Sequence, residues 1–157
     1  GDGLPVVVGL ALVAKKTGRS YRVFVLVGDG ELQEGSNWEA AMSASYFGLD
    51  NLVIIVDRNS LQLADRTEHI LRLEPLKDKF TAFGMNIIET DGNDPEALLN
   101  ALRDRRAEDL QMHHKAPLVV LAKSVKGKGI SFIENKPAWH HRIPQGEEVT
   151  MAIQELE

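Results

Sequence analysis

Two unbroken apolar runs, Val23-Phe24-Val25-Leu26-Val27 and Leu52-Val53-Ile54-Ile55-Val56, constrain this chain more than any other feature. Each is short, rich in β-branched residues and bounded by polar residues or glycine, as expected of a strand covered on both faces. The stretch between them is long enough for a crossover helix. The two strands are therefore expected to be parallel neighbours joined by a right-handed connection.

The same alternation of helix and strand patterns runs through the rest of the chain. Leu4 to Lys16 reads as a mostly apolar, largely buried helix, with Lys15 and Lys16 in its last turn and Gly18 just beyond as a left-handed cap. Ser36-Asn37-Trp38-Glu39 has the spacing of a capping box, and the helix it opens sets Trp38, Ala41, Met42 and Ser45 on one face and closes at Gly48. A short helix is expected near Leu76 to Phe83, a strand from Met85 to Glu89, and a helix with Asp94 as N-cap and Pro95 at its first position. Leu118 to Ala122 supplies a fourth strand; a loop rich in glycine and proline follows, and Glu147 to Glu157 permits a terminal helix. The expected architecture is an α/β fold, a mainly parallel sheet with helices on both faces, forming one domain over residues 1–157. Because the chain opens on Gly1 and passes at once into a helical pattern, an upstream part is expected to be missing.

Composition narrows the partners. A formal charge of −5 leaves no basic face able to dominate the field, which argues against a general binder of nucleic acid or anionic membrane. There is no cysteine, so disulfides and thiolate metal sites are excluded. The longest apolar run, Val6 to Ala14, is too short to span a bilayer, and no targeting segment opens the chain, so a cytoplasmic protein acting on small molecules or other proteins is expected.

In a parallel sheet, the loops leaving the carboxyl ends of the strands gather on one edge, where open α/β folds place their ligands. Here those loops carry Gly28-Asp29-Gly30 and Asp57-Arg58-Asn59. Glycines permit a sharp turn and close approach of backbone to phosphate, and Asp29 offers a hard anionic oxygen. Adjacent strands lie about 4.8 Å apart, so Asp29 and Asn59 can share one Mg²⁺ whose remaining oxygens come from a diphosphate. An ordinary turn and an ordinary cap suit the same residues, and spacing alone leaves both readings open. A nucleotide site fits less well: there is no G-x-x-x-x-G-K-[ST], and position 33 is glutamine where a dinucleotide fingerprint needs glycine.

Taken together, Gly28-Asp29-Gly30-Glu31-Leu32-Gln33-Glu34-Gly35, Trp38-Glu39-Ala40 and Asp57-Arg58-Asn59 resemble the thiamine-diphosphate signature of transketolases, with the family's thirty positions between Asp29 and Asn59. The resemblance extends over nearly the whole chain, through Leu73-Glu74-Pro75-Leu76, Asp91-Gly92, Lys126-Gly127-Lys128-Gly129 and Trp139-His140-His141, and looks closest to the amino-terminal, diphosphate-binding subunits of split transketolases.

The resemblance implies a thiamine-diphosphate-dependent transferase subunit that moves a two-carbon ketol unit between sugar phosphates. It implies Mg²⁺ held by Asp29, the Asn59 side chain and the Leu61 carbonyl, with Gly28 and Gly30 offering backbone to the diphosphate. Leu63 would pack on the thiazolium ring, although its position also suits a core leucine. Glu34 and Glu39 match acidic positions that link paired active sites at a subunit interface, while Glu39 also completes the capping box. His141, or its neighbour His140, matches the histidine that approaches the donor sugar and the diphosphate. His69, His113 and His114 have no counterpart. Asp2, Ala64 and Arg142 depart from the family pattern, which weakens the carry-over for substrate handling more than for metal binding.

A partner chain carrying the pyrimidine-binding domain, the carboxy-terminal section of a transketolase, is implied, in a homo- or hetero-oligomer. Alternatives are the α-type chain of a 2-oxo acid dehydrogenase, a deoxyxylulose-phosphate synthase, or a truncated non-catalytic binding or assembly module; Gln33-Glu34-Gly35 with Trp38-Glu39 favours the transketolase.

Overall fold

The computed structural model describes residues 1–63, 65–103 and 115–157. Helices α1 (Gly3–Lys16), α2 (Gly35–Tyr46), α3 (Thr67–Ile70), α4 (Leu76–Ala82), α5 (Pro95–Leu102) and α6 (Glu147–Leu156) alternate with strands β1 (Val23–Gly28), β2 (Leu52–Arg58), β3 (Asn86–Asp91) and β4 (Leu118–Lys123). Every strand pairing is parallel, and the sheet order is β1-β2-β4-β3. The expected α/β architecture is thus observed, with β1 and β2 as neighbours in the register Val23 opposite Leu52 through Gly28 opposite Asp57.

Alternation along the strands divides the core. Leu52, Ile54 and Val56 of β2 face α1, α2 and α4, where Leu4, Val8, Ala11, Ala41, Ala44, Leu76 and Phe80 complete the larger cluster. Val53 and Val120 face the other way and meet Ala101 of α5. Helices therefore cover both faces, unequally. Trp38 of α2 stacks on Phe80 of α4 at 5.2 Å between ring centres and donates its indole N–H to the Leu32 carbonyl at 2.7 Å, which locks α2 against both the first cluster and the turn after β1.

Four sequence expectations need correction. Helix α1 is buried along one stripe only, with Val6, Leu10 and Val13 exposed. Strand β1 is covered on one face, because it lies at the sheet edge beyond the reach of α5; Phe24 and Leu26 are exposed, Leu26 by 68%. The capping box does not form: α2 begins at Gly35 with Glu34 as N-cap and no side-chain cap, so Ser36 already lies within the helix. Its inward face is accordingly Asn37, Ala40, Ala41 and Ala44, and Met42 points outward. The caps expected elsewhere are present: Gly18 and Gly48 take positive φ, and the Asp94 carboxylate accepts from the N–H groups of Glu96 and Ala97. Among the described residues no helix is long and apolar enough to cross a membrane. His113, His114 and Ala64 lie outside the described residues.

Candidate functional site

The carboxyl edge of the sheet brings Asp29 and Asn59 together. Asp29 directly follows β1, and its backbone N–H donates to the Asp57 carbonyl at 3.2 Å, extending the β1–β2 ladder past the last strand residue. Its side chain is 1% exposed. Oδ1 accepts from the Gly30 N–H at 2.8 Å, capping a 3₁₀ turn over Gly30–Gln33. Oδ2 accepts from the Ser60 N–H at 2.7 Å and from Arg58 Nη1 at 2.7 Å. Ser60 can offer its N–H there because it adopts φ +64°, a left-handed conformation uncommon for a residue with a Cβ.

Asn59 is buried and fixed at both ends of its amide. Its Nδ2 donates to Asp57 Oδ2 at 2.8 Å, and its Oδ1 accepts from the Leu61 N–H at 2.9 Å. Asp57 is in turn held by the Ser124 hydroxyl beyond β4. Three strand exits thus converge through one chain of hydrogen bonds, and a buried polar chain of this kind keeps its geometry because each lost partner costs desolvation.

The glycines serve close approach rather than unusual torsion. Neither Gly28 nor Gly30 has positive φ, and Asp29 is helical at φ −63°, ψ −38°. A Cβ at Gly30 would stand 2.7 Å from Gln62 Oε1 and 3.0 Å from Gln62 Cβ. The segment after Asn59 therefore lies against the turn only because residue 30 lacks a side chain. A Cβ at Gly28 would meet nothing within 4 Å, so open space adjoins this strand end.

The remaining expected residues are distributed around this centre. Leu61 is buried, whereas Leu63 is 62% exposed, which removes the reading of Leu63 as a core leucine. Glu34 and Glu39 lie at the start of α2, Glu34 exposed and Glu39 half-buried, and no described contact joins them to Asp29 or Asn59. His140 and His141 sit on the loop that leaves β4, ring centres 4.8 Å apart and edge to face, again without a described contact to Asp29 or Asn59. The Nδ1 of His140 is buried without a hydrogen-bond partner. Desolvation, then the charges of Lys126 and His141, hold the His140 pKa below the ordinary histidine value. His69 forms an exposed pair with Asp65 at 3.0 Å.

Arg58 was legible only as part of a motif, yet it dominates the electrostatics. Burial of its guanidinium opposes the charge, but hydrogen bonds to Asp29 and then Glu74 outweigh burial and raise its pKa above the ordinary value. Glu74 is held below the usual carboxylate range, first by the Leu76 N–H and then by Arg58. Thr67, Glu68, Glu74, Ser60 and Ser124 were likewise missed. The available signal was an arginine closing an apolar strand, which demands buried partners.

Among the described residues no three His, Cys, Asp or Glu side chains group to hold a metal. A cation here would depend on Asp29 with amide and carbonyl oxygens, a hard-oxygen set suited to Mg²⁺ when a diphosphate contributes further oxygens. The carboxylate already accommodates a positive charge, that of Arg58, and the donor set fits the metal chemically.

Residues 1–156 match the family model described as transketolase, thiamine diphosphate binding domain. One of the two named chains of the apulose-4-phosphate transketolase of Actinobacillus succinogenes is 53% identical over 99% of this chain and 54% of its own length. A chain of the 6-deoxy-6-sulfo-D-fructose transketolase of a Clostridium species is 36% identical over 100% of this chain and 55% of its own length. The chain thus spans about half the length of these curated relatives. The crystal structure of transketolase from Campylobacter jejuni superimposes with TM-score 0.85 at 29% identity, over 99% of this chain and 25% of that one.

Proposed function

From the premise that this chain belongs to the transketolase thiamine-diphosphate-binding family, we propose that it is the diphosphate-binding part of a split transketolase. It would transfer a two-carbon ketol unit between sugar phosphates, together with a partner chain that carries the pyrimidine-binding domain. The observation that carries this reading is the buried Asp29 carboxylate at the exit of β1, hydrogen-bonded to the loop that begins with Asn59.

In this reading Asp29, the Asn59 side chain and the Leu61 carbonyl hold Mg²⁺, and Gly28 and Gly30 present backbone to the diphosphate. The open space beside Gly28 supports that assignment. Thiamine diphosphate, when bound, supplies the electron sink for breaking and making the carbon–carbon bond. The protein binds, orients and moves protons. Leu63, exposed and four residues beyond Asn59, offers an apolar contact for the thiazolium ring. His141 or His140 donates a hydrogen bond or moves a proton at the donor sugar; the buried, unpartnered Nδ1 of His140 supports a ligand-facing role for this pair. Glu34 and Glu39, at the start of α2, are assigned to the interface with the partner.

The names of the two relatives point to substrates in the class of sugar phosphates and sulfo-sugars. The test is to assemble the chain with its partner chain, then follow ketol transfer from a ketose phosphate to an aldose phosphate. Transfer that requires both chains and thiamine diphosphate is expected; a complex that binds cofactor and transfers nothing to any aldose phosphate would overturn the reading.

A further inference from the structure

Arg58 ends β2, one residue before Asn59, and its side chain is only 9% exposed. Its guanidinium joins three carboxylates. Nη1 reaches Asp29 Oδ2 at 2.7 Å and Thr67 Oγ1 at 2.8 Å. Nη2 reaches Glu68 Oε1 at 3.1 Å and Glu74 Oε1 at 2.8 Å, and Nε reaches Glu74 Oε1 at 3.2 Å. Three negative charges and one positive charge leave this group at a formal −2, which one divalent cation would neutralise.

We propose that Arg58 is a positioning residue that competes with a divalent metal for Asp29 Oδ2 and is retained by Glu68 and Glu74 when the metal takes that oxygen. The proposal rests on the metal assignment made above. A metal about 2.1 Å from Oδ2 would share the oxygen with a guanidinium nitrogen and bring two cations close together in a poorly solvated site. Asp29 does not need Arg58 to stay aimed, because the N–H groups of Gly30 and Ser60 already fix both carboxylate oxygens. Arg58 also has somewhere else to remain. Glu68 Oε1 accepts from the Leu73 N–H at 3.0 Å and Glu74 Oε2 from the Leu76 N–H at 2.8 Å, so both carboxylates are held by backbone independently of the arginine. The fork geometry of a guanidinium suits this exchange; it keeps two of its three carboxylates while yielding the third. Metal binding is then coupled to the segment from Thr67 to Leu76, and the arginine holds metal affinity below what the oxygen set alone would give.

The test is Mn²⁺ binding to the full chain, followed by electron paramagnetic resonance, in wild type, Arg58→Gln, Arg58→Lys and Asp29→Ala. Arg58→Gln is expected to bind Mn²⁺ about tenfold more tightly than wild type, with Arg58→Lys closer to wild type. A merely structural arginine gives the opposite sign, and equal or weaker binding in a folded Arg58→Gln overturns the proposal. If that variant does not fold, the Nε–H resonance of Arg58 in the wild-type chain decides: a shift that saturates with added Mg²⁺ supports the exchange, and an unmoved resonance at metal saturation overturns it. Binding unaffected by Asp29→Ala would remove the metal assignment itself, whereas binding lost in Asp29→Ala but unchanged in Arg58→Gln overturns the Arg58 proposal alone.

Discussion

The Asp29 carboxylate, one residue past β1, accepts the backbone N–H of Ser60, two residues past β2, at 2.7 Å. This bond ties two parallel strand exits into one rigid edge and sets the first prediction.

Asp29→Asn keeps the side-chain shape but leaves the buried Arg58 guanidinium without its nearest counter-charge. Unfolding stability should fall by about 3 kcal/mol, as for breaking a buried ion pair on one side. Urea denaturation checks this; a loss within experimental scatter would mean that the pair contributes nothing.

Ser60 holds φ +64° without a glycine's freedom. Ser60→Gly should leave stability unchanged or raise it by up to about 1 kcal/mol, while Ser60→Val should lower it by about 2 kcal/mol because a β-branched residue is strained there. Thermal denaturation of the two variants, compared side by side, tests the sign of each change.

Gly30 faces Gln62 too closely for a methyl group. Gly30→Ala should cost about 1–2 kcal/mol through overpacking. The double variant Gly30→Ala, Gln62→Ala should recover most of that loss, and simple additivity in a double-mutant cycle would contradict the contact.

His140 is held below its ordinary pKa of 6.5 by desolvation, then by Lys126 and His141. The folded chain therefore binds this proton less readily than the unfolded chain. Stability is unaffected at pH well above 6.5 and falls as the pH drops from 6.5 through the lower folded value. His140→Gln should flatten that part of the pH–stability curve, measured as denaturation midpoints at a neutral and a mildly acidic pH.

Much of this fold was legible because its signals are local. The apolar runs of β1 and β2, the Asp94-Pro95 helix start and the glycine after α2 each act through a few neighbouring residues. What was not legible depends on distant parts of the chain. That Phe24 and Leu26 stay uncovered follows from where α5 packs, which the β1 sequence cannot record. The capping box at Ser36 was a valid local pattern that lost to a helix start one residue earlier. At the site, Asp29 and Asn59 could be placed together from strand exits alone, but the Arg58 network could not, since Glu68 and Glu74 come from a segment whose path is set by tertiary packing.

Calorimetric titration of thiamine diphosphate into the chain assembled with its partner chain, with and without Mg²⁺, tests most directly whether the strand exits at Asp29 and Asn59 form a metal-anchored diphosphate site. Binding that requires Mg²⁺ and is lost in Asp29→Ala and Asn59→Ala is expected. Equal affinity in wild type and Asp29→Ala, or binding indifferent to Mg²⁺, would contradict it.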